Sequence, residues 1–293
     1  MKYLFILLKT FLILLTLSSF SFGQELNPYD ISIDRENIIL KGKFYVVGED
    51  GLFPTVILLQ GFPGNEKDVL GIGAKLTLVG INVLTFNYSG TNKSEGEFNF
   101  DNSQKDIEAA FKFIHKSENV QKYKIDTTRV ILGGYSYGGG MALTYAANHP
   151  EITDVFSIAG TDHGEFFREY ARNLEMKKMI DEMFDELSVP TGTVRFKKGG
   201  LPKEIIKNGK IELNPIYDLR KSAPLLTGKN ILLIGGWEDI NVTIDDHLLP
   251  LYRALKNEKI ENVEFIVYHT NHSFKNVRDD LTNTIYNWIV NKD

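Results

Sequence analysis

Ser136 stands in a sequence pattern that is typical of an activated nucleophile. An apolar run ending at Leu132 leads into the motif Gly-x-Ser-x-Gly at residues 134–138, and a segment with helical spacing follows. Such a sharp strand-to-helix turn needs glycine on both sides of the serine, since a Cβ there would collide with neighbouring backbone. A dinucleotide-binding loop, the other interpretation of these glycines, would lie much nearer the start of the chain. The pattern therefore predicts a serine that attacks carbonyl groups, rather than an incidental serine in a glycine-rich turn.

A base and an acid are the two further groups that this chemistry requires. A serine hydroxyl is a weak nucleophile unless a base accepts its proton, and a carboxylate holds that base in the required tautomer. Glu238 and Asp239 follow one short apolar run after Ser136, and His269 and His272 follow the last such run. Both pairs are therefore expected in loops at the carboxyl ends of strands, in the order acid and then histidine.

The elements that must position these residues alternate along the chain. Six runs rich in β-branched residues and Leu predict strands buried on both faces: Thr55–Leu59, Ile81–Phe86, Val130–Leu132, Val155–Ala159, Ile231–Ile234 and Val263–Val267. Five segments of helical periodicity accompany them: Val69–Val79, Ser103–His115, Gly140–Asn148, Thr243–Lys256 and Val277–Val290. Because parallel strands need crossover helices, we expect an α/β fold with a mostly parallel central sheet and helices on both faces.

Two segments depart from this alternation. From Ile31 to Val47 the loose alternation of apolar and polar residues suits two antiparallel edge strands around Lys41-Gly42. Later, about 65 residues, Thr161–Leu226, separate two predicted strands where a crossover needs far fewer. We name residues 161–226 the cap segment.

The cap segment has one strong periodic pattern. Apolar residues recur at three- and four-residue steps from Phe166 to Leu187, which predicts an amphipathic helix that ends at Pro190. This apolar stripe suits either packing onto the domain or lining a substrate cleft.

With its serine motif followed by an acid and then a histidine, the sequence resembles the α/β-hydrolase family, especially its acyl-hydrolase and serine-aminopeptidase-like branches. The resemblance covers roughly residues 31–293. The family's acid typically ends a Gly-x-x-Asp motif, which selects Asp239 over Glu238. Its histidine typically precedes Ser or Gly and an aromatic residue, which selects His272 over His269. The resemblance thus implies the α/β-hydrolase fold and a triad of Ser136, His272 and Asp239.

Two backbone amides are candidates for stabilising the oxyanion. The helix after Ser136 directs its first amides at the site, so the N–H of Tyr137 is one predicted donor. The resemblance implies the N–H of Phe62 as the other, in the turn after the first central strand. Family members often have His-Gly where this chain has Gln60-Gly61.

The first residues predict export. A basic start precedes an apolar run, Leu4–Leu17, which is interrupted by Lys9, and small residues follow up to Gly23. We therefore expect a cleaved signal peptide at residues 1–23 and a hydrolase domain with its cap segment at residues 24–293. Lys9 shortens the uncharged stretch below the ~20 residues of a membrane span, so we expect a periplasmic or extracellular protein without a stable membrane anchor.

Composition restricts the partners. The absence of Cys excludes disulfides and a thiol nucleophile. A net charge of −5 without a basic cluster disfavours nucleic acid. No His-Glu-x-x-His or similar spacing predicts a metal, and no cofactor is predicted.

Taken with the resemblance, these residues predict a secreted serine hydrolase that cleaves carboxylic ester or amide bonds in small molecules. An exported aminopeptidase or dipeptidyl-peptidase-like enzyme is the first alternative, and it would need carboxylates that receive a free amine. Four acidic residues of the cap segment are candidates for this role: Glu165, Glu169, Asp181 and Glu182. A non-catalytic binding protein on the same fold and an acyltransferase are further alternatives.

Overall fold

A central sheet of eight strands carries the fold in the computed structural model, which describes residues 27–65, 67–190, 192–207 and 209–291. The strands of this part are β1 (Tyr29–Arg35), β2 (Ile38–Tyr45), β3 (Phe53–Leu59), β4 (Asn82–Phe86), β5 (Ile125–Tyr135), β6 (Asp154–Ile158), β7 (Ile206–Lys207), β8 (Lys210–Ile211), β9 (Asn230–Gly236) and β10 (Val263–Tyr268). The sheet order is β1-β2-β4-β3-β5-β6-β9-β10, and β7 and β8 pair separately. The predicted signal peptide lies outside the described residues.

The mostly parallel sheet predicted from the sequence is confirmed. From β4 across to β10, every neighbouring pair of strands is parallel. β1 and β2 are antiparallel to each other at one edge, and β2 is also antiparallel to β4. The carboxyl ends of the parallel strands therefore meet at one edge of the sheet, where the loops after β3, β5, β9 and β10 converge.

Helices cover both faces of the sheet, as the alternation predicts. They are α1 (Ile72–Leu78), α2 (Phe100–His115), α3 (Ser117–Lys122), α4 (Tyr137–Asn148), α5 (His163–Arg172), α6 (Leu174–Ser188), α7 (Pro202–Ile205), α8 (Leu219–Ser222), α9 (Leu249–Asn257) and α10 (Arg278–Val290). Ile57 of β3 packs into a core with α2, α4 and α9. Its neighbour Val56 packs into the opposite core with α1 and α10, because successive strand residues face opposite sides.

The turn between the two edge strands was predicted in the wrong place. It lies at residues 36–37, where Glu36 has a φ of 54°. Lys41 and Gly42 instead lie within β2. A Cβ on Gly42 would stand 2.4 Å from the carbonyl oxygen of Thr85 in β4, so this glycine permits a close strand contact and does not mark a turn.

The predicted cap-segment helix is two helices, α5 and α6. Asn173 separates them with extended backbone, and its side chain accepts hydrogen bonds from the amides of Glu175 and Met176, both at 3.1 Å. Asn at this position satisfies amides that the new helix leaves free, which favours a break that apolar spacing alone does not reveal. Part of the predicted apolar stripe, including Leu174 and Met179, is exposed to solvent.

Within the described ranges, none of the helices combines the length and the apolar character needed to cross a membrane.

Candidate active site

Ser136 occupies the sharp turn between β5 and α4. Its backbone has φ 54° and ψ −121°, a conformation that side-chain-bearing residues rarely adopt and that the surroundings must enforce. The amide of Ser136 donates to the carbonyl of Ile158 at 2.9 Å, and its carbonyl accepts from the amides of Gly139 and Thr161 at 3.0 and 3.1 Å. These bonds with β6, with the loop after it and with α4 hold the strained residue in place.

The flanking glycines are needed for the reason that the sequence suggested. A Cβ on Gly134 would stand 2.2 Å from the carbonyl oxygen of Gly138, and a Cβ on Gly138 would stand 2.4 Å from that of Gln60. A Cβ on Gly61 would lie 3.4 Å from the Cβ of Ser136. The turn after β3 is therefore packed directly against the serine.

His272 connects Ser136 to Asp239. Its Nδ1 lies 2.6 Å from Oδ2 of Asp239, and its Nε2 lies 3.0 Å from Oγ of Ser136. An ionised carboxylate only accepts hydrogen bonds, so Nδ1 carries the proton and Nε2 is left to accept one from the serine hydroxyl. This is the protonation state that a general base requires.

Asp239 is buried, with 4% of the residue exposed, and its second oxygen is also engaged. Oδ1 accepts hydrogen bonds from the amides of Asn241 and Val242 at 2.9 and 3.0 Å. Both carboxylate oxygens are thus fixed, one by its own loop and one by His272. Such support restrains the imidazole against rotation.

The alternative acid and base form a separate pair away from this chain of hydrogen bonds. Nδ1 of His269 lies 3.4 Å from a carboxylate oxygen of Glu238, and their side chains are 88% and 56% exposed. The structure therefore brings Asp239 and His272 to Ser136 and leaves Glu238 and His269 at the surface.

Tyr135 is a further residue of the site, in contact with His272. Its hydroxyl donates to the carbonyl of His272 at 2.8 Å, and the two ring centroids are 5.0 Å apart. Burial and the negative charge of Asp239 raise the pKa of the Tyr135 hydroxyl, which keeps it protonated as a donor. As a variable position of the Gly-x-Ser-x-Gly motif, Tyr135 gave no sequence signal for this contact.

The two predicted oxyanion donors belong to segments that adjoin the serine. Tyr137 is the first residue of α4, and Phe62 follows Gly61 in the turn packed against Ser136. Within the described residues, the amides of Phe62 and Tyr137 donate to no other group. The rings of these two residues are also neighbours, with centroids 6.1 Å apart.

His163 packs behind the nucleophile helix and is 2% exposed. Its ring centroid lies 4.9 Å from that of Phe100 and 5.0 Å from that of Tyr137. Burial, assisted by the proximity of His247, lowers the pKa of His163 to about 3. A neutral imidazole therefore forms part of the packing under α4.

The cap-segment carboxylates considered for amine recognition are all paired with cations. Glu165 is buried and accepts hydrogen bonds from Arg168 at 2.7 Å and from Arg220, and it lies 2.9 Å from Arg172. The remaining three pair with Arg172 (Glu169), Lys177 (Asp181) and Lys178 (Glu182).

Three acidic residues also approach each other closely enough to suggest a metal site. Carboxylate oxygens of Glu165, Glu169 and Asp246 lie within 4.8 Å of one another. A guanidinium nitrogen of Arg172 stands 2.9, 3.6 and 4.0 Å from these residues, respectively. Arg172 thus already supplies positive charge to the group, and a cation there would meet repulsion from it.

Comparison with known proteins gives a family match for part of the chain. The family model described as "alpha/beta hydrolase fold" matches residues 54–182. An esterase from Pyrococcus furiosus has a similar structure, with a TM-score of 0.65 and 18% sequence identity, over 90% of this chain and 91% of that one. This structural likeness identifies the fold.

Two curated proteins are similar to this chain in sequence. The quorum-quenching protein AidA of Acinetobacter baumannii is 26% identical over 145 residues, which cover 46% of this chain and 46% of AidA. The proline iminopeptidase of Saccharolobus solfataricus is 28% identical over 132 residues, which cover 45% of this chain and 40% of that enzyme. The chain thus spans about half the length, or less, of these relatives.

Proposed function

Since the chain is a member of the α/β-hydrolase superfamily, we propose that it is an exported serine hydrolase that cleaves carboxylic esters through an acyl-enzyme on Ser136. The observation that carries this proposal is the chain of hydrogen bonds from Ser136 through His272 to Asp239, at 3.0 and 2.6 Å. The similarity to an esterase and to a peptidase supports hydrolysis as the reaction class.

In the first half-reaction, Oγ of Ser136 attacks the ester carbonyl carbon while Nε2 of His272 takes the hydroxyl proton. The carbonyl π electrons move onto oxygen, and the amides of Phe62 and Tyr137 donate to the resulting oxyanion. The tetrahedral intermediate collapses, the C–O bond to the alcohol breaks, and Nε2 returns its proton to the leaving oxygen. Asp239 stabilises the imidazolium between these two transfers.

In the second half-reaction, water attacks the acyl-enzyme. Nε2 of His272 accepts a proton from the water, and the same two amides again hold the oxyanion. Collapse of this intermediate releases the carboxylic acid and returns the proton to Oγ of Ser136. The net reaction consumes one ester and one water and yields one acid and one alcohol.

Esters are favoured over peptides with a free amino terminus because the buried candidate carboxylate, Glu165, is already paired with arginines of the protein itself. The other three also lie beside charged groups of the protein: Arg172 for Glu169, Lys177 for Asp181 and Lys178 for Glu182. A substrate ammonium would have to displace an arginine from the buried Glu165, which removes most of the energetic gain. An alkoxide also leaves more readily than an amine.

The nucleophile is tested by treating the folded protein with a fluorophosphonate and locating the adduct by mass spectrometry. We expect one adduct, on Ser136, and none on Ser136→Ala. Wild type and Ser136→Ala should have the same thermal unfolding temperature, since the Ser136 side chain buries little apolar surface. If the folded wild-type protein stays unlabelled, the proposal of an activated serine is wrong, and a non-catalytic binding function on this fold becomes the favoured alternative.

The substrate class is tested by comparing p-nitrophenyl esters with proline p-nitroanilide. We expect turnover of short-chain esters and a kcat/KM for the anilide at least a hundredfold lower. A preference for the anilide would establish the peptidase alternative.

Export is tested on the protein that cells produce. We expect the amino terminus of the exported protein to be Gln24, read by mass spectrometry of the periplasmic and culture fractions. Recovery of an unprocessed chain beginning at Met1 would contradict the proposed signal peptide.

A further inference from the structure

The turn after β3 is held by few main-chain contacts. Within the described residues, no amide of residues 61–65 donates to another backbone group, whereas β3 pairs on both sides with neighbouring strands. The side-chain amide of Asn92 reaches the carbonyl of Pro63 only at 3.4 Å. The position of the Phe62 amide must therefore depend on something other than backbone hydrogen bonds.

Packing of the Phe62 ring supplies this support. The ring stacks on Phe184, with centroids 5.1 Å apart and planes 11° from parallel. It also contacts Phe98, Phe196 and Tyr137, with centroid distances of 4.9, 6.1 and 6.1 Å. Aromatic contacts of this kind stabilise a packed ring beyond the effect of the area they bury.

Two of these four rings, Phe184 and Phe196, belong to the cap segment. Phe196 is firmly placed because its neighbour Arg195 exchanges backbone hydrogen bonds with Gly90 and Phe98, both at 2.7 Å. The Arg195 guanidinium also donates to the carbonyl of Ser94. The cap segment is thus fixed to the core beside the loop that follows β4.

Phe184 lies on α6, whose other apolar contacts with the core come from Ile180 and Leu187. Its helix neighbours Leu174, Met179 and Met183 are 80%, 58% and 40% exposed, and Ile180 is the one buried residue of α6. Phe184 packs on Phe62 and Phe196, so it joins the helix to the turn that carries the proposed oxyanion donor.

We propose that Phe184 is a positioning residue, which holds the Phe62 amide at the oxyanion site. Catalysis then depends on the packing of α6 against the core. This inference rests on the proposed function, in which that amide stabilises the oxyanion. Without the Phe184 ring, the turn loses its parallel stacking partner and gains freedom to move. A displacement of about 1 Å at a catalytic group costs up to ~100-fold in rate.

The test compares Phe184→Ala and Phe184→Tyr with wild type, using p-nitrophenyl acetate, whose acetyl group is too small to need an apolar cap. We expect Phe184→Ala to lower kcat by about 10–100-fold with KM changed less than threefold. The fluorophosphonate labelling rate of Ser136 should fall in parallel. Phe184→Tyr keeps the stacked ring and should retain kcat within about threefold.

Met183→Ala is the matched control, because it truncates the adjacent, 40% exposed apolar residue of α6 and leaves every ring around Phe62 in place. We expect it to retain wild-type kcat. All variants are measured where circular dichroism shows them folded. Wild-type kcat in folded Phe184→Ala would overturn the inference, as would a change confined to KM, which would make Phe184 a wall of the substrate site.

A failure of the proposed function is distinguished by the wild-type protein itself. If wild type neither labels with fluorophosphonate nor hydrolyses esters, the serine mechanism is wrong. If wild type does both and Phe184→Ala matches it, only the positioning role is wrong.

Discussion

At the scale of single residues, the choice of acid depends on burial and hydrogen bonding. Asp239 and Glu238 are adjacent carboxylates in one loop, yet Asp239 is buried against His272 while Glu238 is exposed beside His269. A carboxylate orients a base only when its own position is fixed, and the amides of Asn241 and Val242 fix Asp239.

We expect Asp239→Asn to lower kcat for ester hydrolysis by about 10³–10⁴-fold, because an amide favours the wrong tautomer of His272. Glu238→Gln is the matched control and should retain kcat within about twofold, since its carboxylate lies at the surface beside the exposed His269. Steady-state measurement of kcat for the two purified variants shows which carboxylate acts as the acid of the triad. Greater damage from Glu238→Gln would transfer the acid role to that residue.

Tyr135 is expected to act through His272. Tyr135→Phe removes the hydrogen bond to the His272 carbonyl and keeps the ring contact, so we expect kcat to fall about fivefold, from the loss of about 1 kcal/mol. Tyr135→Ala removes both and should cost more. Tyr145→Phe, on a ring stacked against Phe111 and His149, should leave kcat unchanged. Equal kcat for Tyr135→Phe and wild type would make the hydrogen bond irrelevant to catalysis.

At the scale of elements, the turn from β5 into α4 requires the ends of two strands to approach closely. α4 begins against the end of β3, where the carbonyls of Leu59 and Gln60 would lie 2.7 and 2.4 Å from a Cβ on Gly138. Both obstacles are backbone atoms, which cannot rotate away as a side chain would.

We therefore expect Gly138→Ala to reduce the free energy of unfolding by about 2 kcal/mol or more and to abolish ester turnover, because the serine turn must shift. Gly48→Ala is the control, since a Cβ there meets nothing within 4 Å and should leave both quantities unchanged. Urea unfolding and kinetics of each variant provide the measurement. Full stability in Gly138→Ala would mean that the turn can relax.

At the scale of the whole molecule, buried ionisable groups make stability depend on pH. The pKa of His163 is about 3 in the folded protein, against an ordinary value of 6.5, so between these values only the unfolded chain binds the proton. Stability from His163 is therefore present above about pH 6.5 and is lost as the pH falls towards 3. Burial raises the pKa of Asp106 and Asp162 to about 6, which acts in the opposite direction.

We expect His163→Phe to remove a slope of up to about 1.4 kcal/mol per pH unit from the stability of the protein below pH 6.5. The comparison isolates His163, since Asp106 and Asp162 are present in both proteins. Urea unfolding of both proteins at pH 5, 6 and 7 provides the measurement. Parallel curves for the two proteins would show that the folded protein does not lower the pKa of His163.

The sequence by itself determined the alternation of strands and helices and the order in which serine, acid and histidine occur. These features are local, because apolar periodicity and the Gly-x-Ser-x-Gly turn depend on residues that are close together in the chain. It did not reveal the break of the cap helix at Asn173, because apolar spacing continues across a residue whose side chain starts a new helix.

Only the tertiary structure decided which residues meet. The contacts of Tyr135 with His272 and of Phe184 with Phe62 join residues 137 and 122 positions apart in the chain. Likewise, the pairing of the cap-segment carboxylates with arginines depends on where α5 and α8 pack. Residue type and spacing specify what chemistry is available, whereas long-range packing specifies which groups are close enough to perform it.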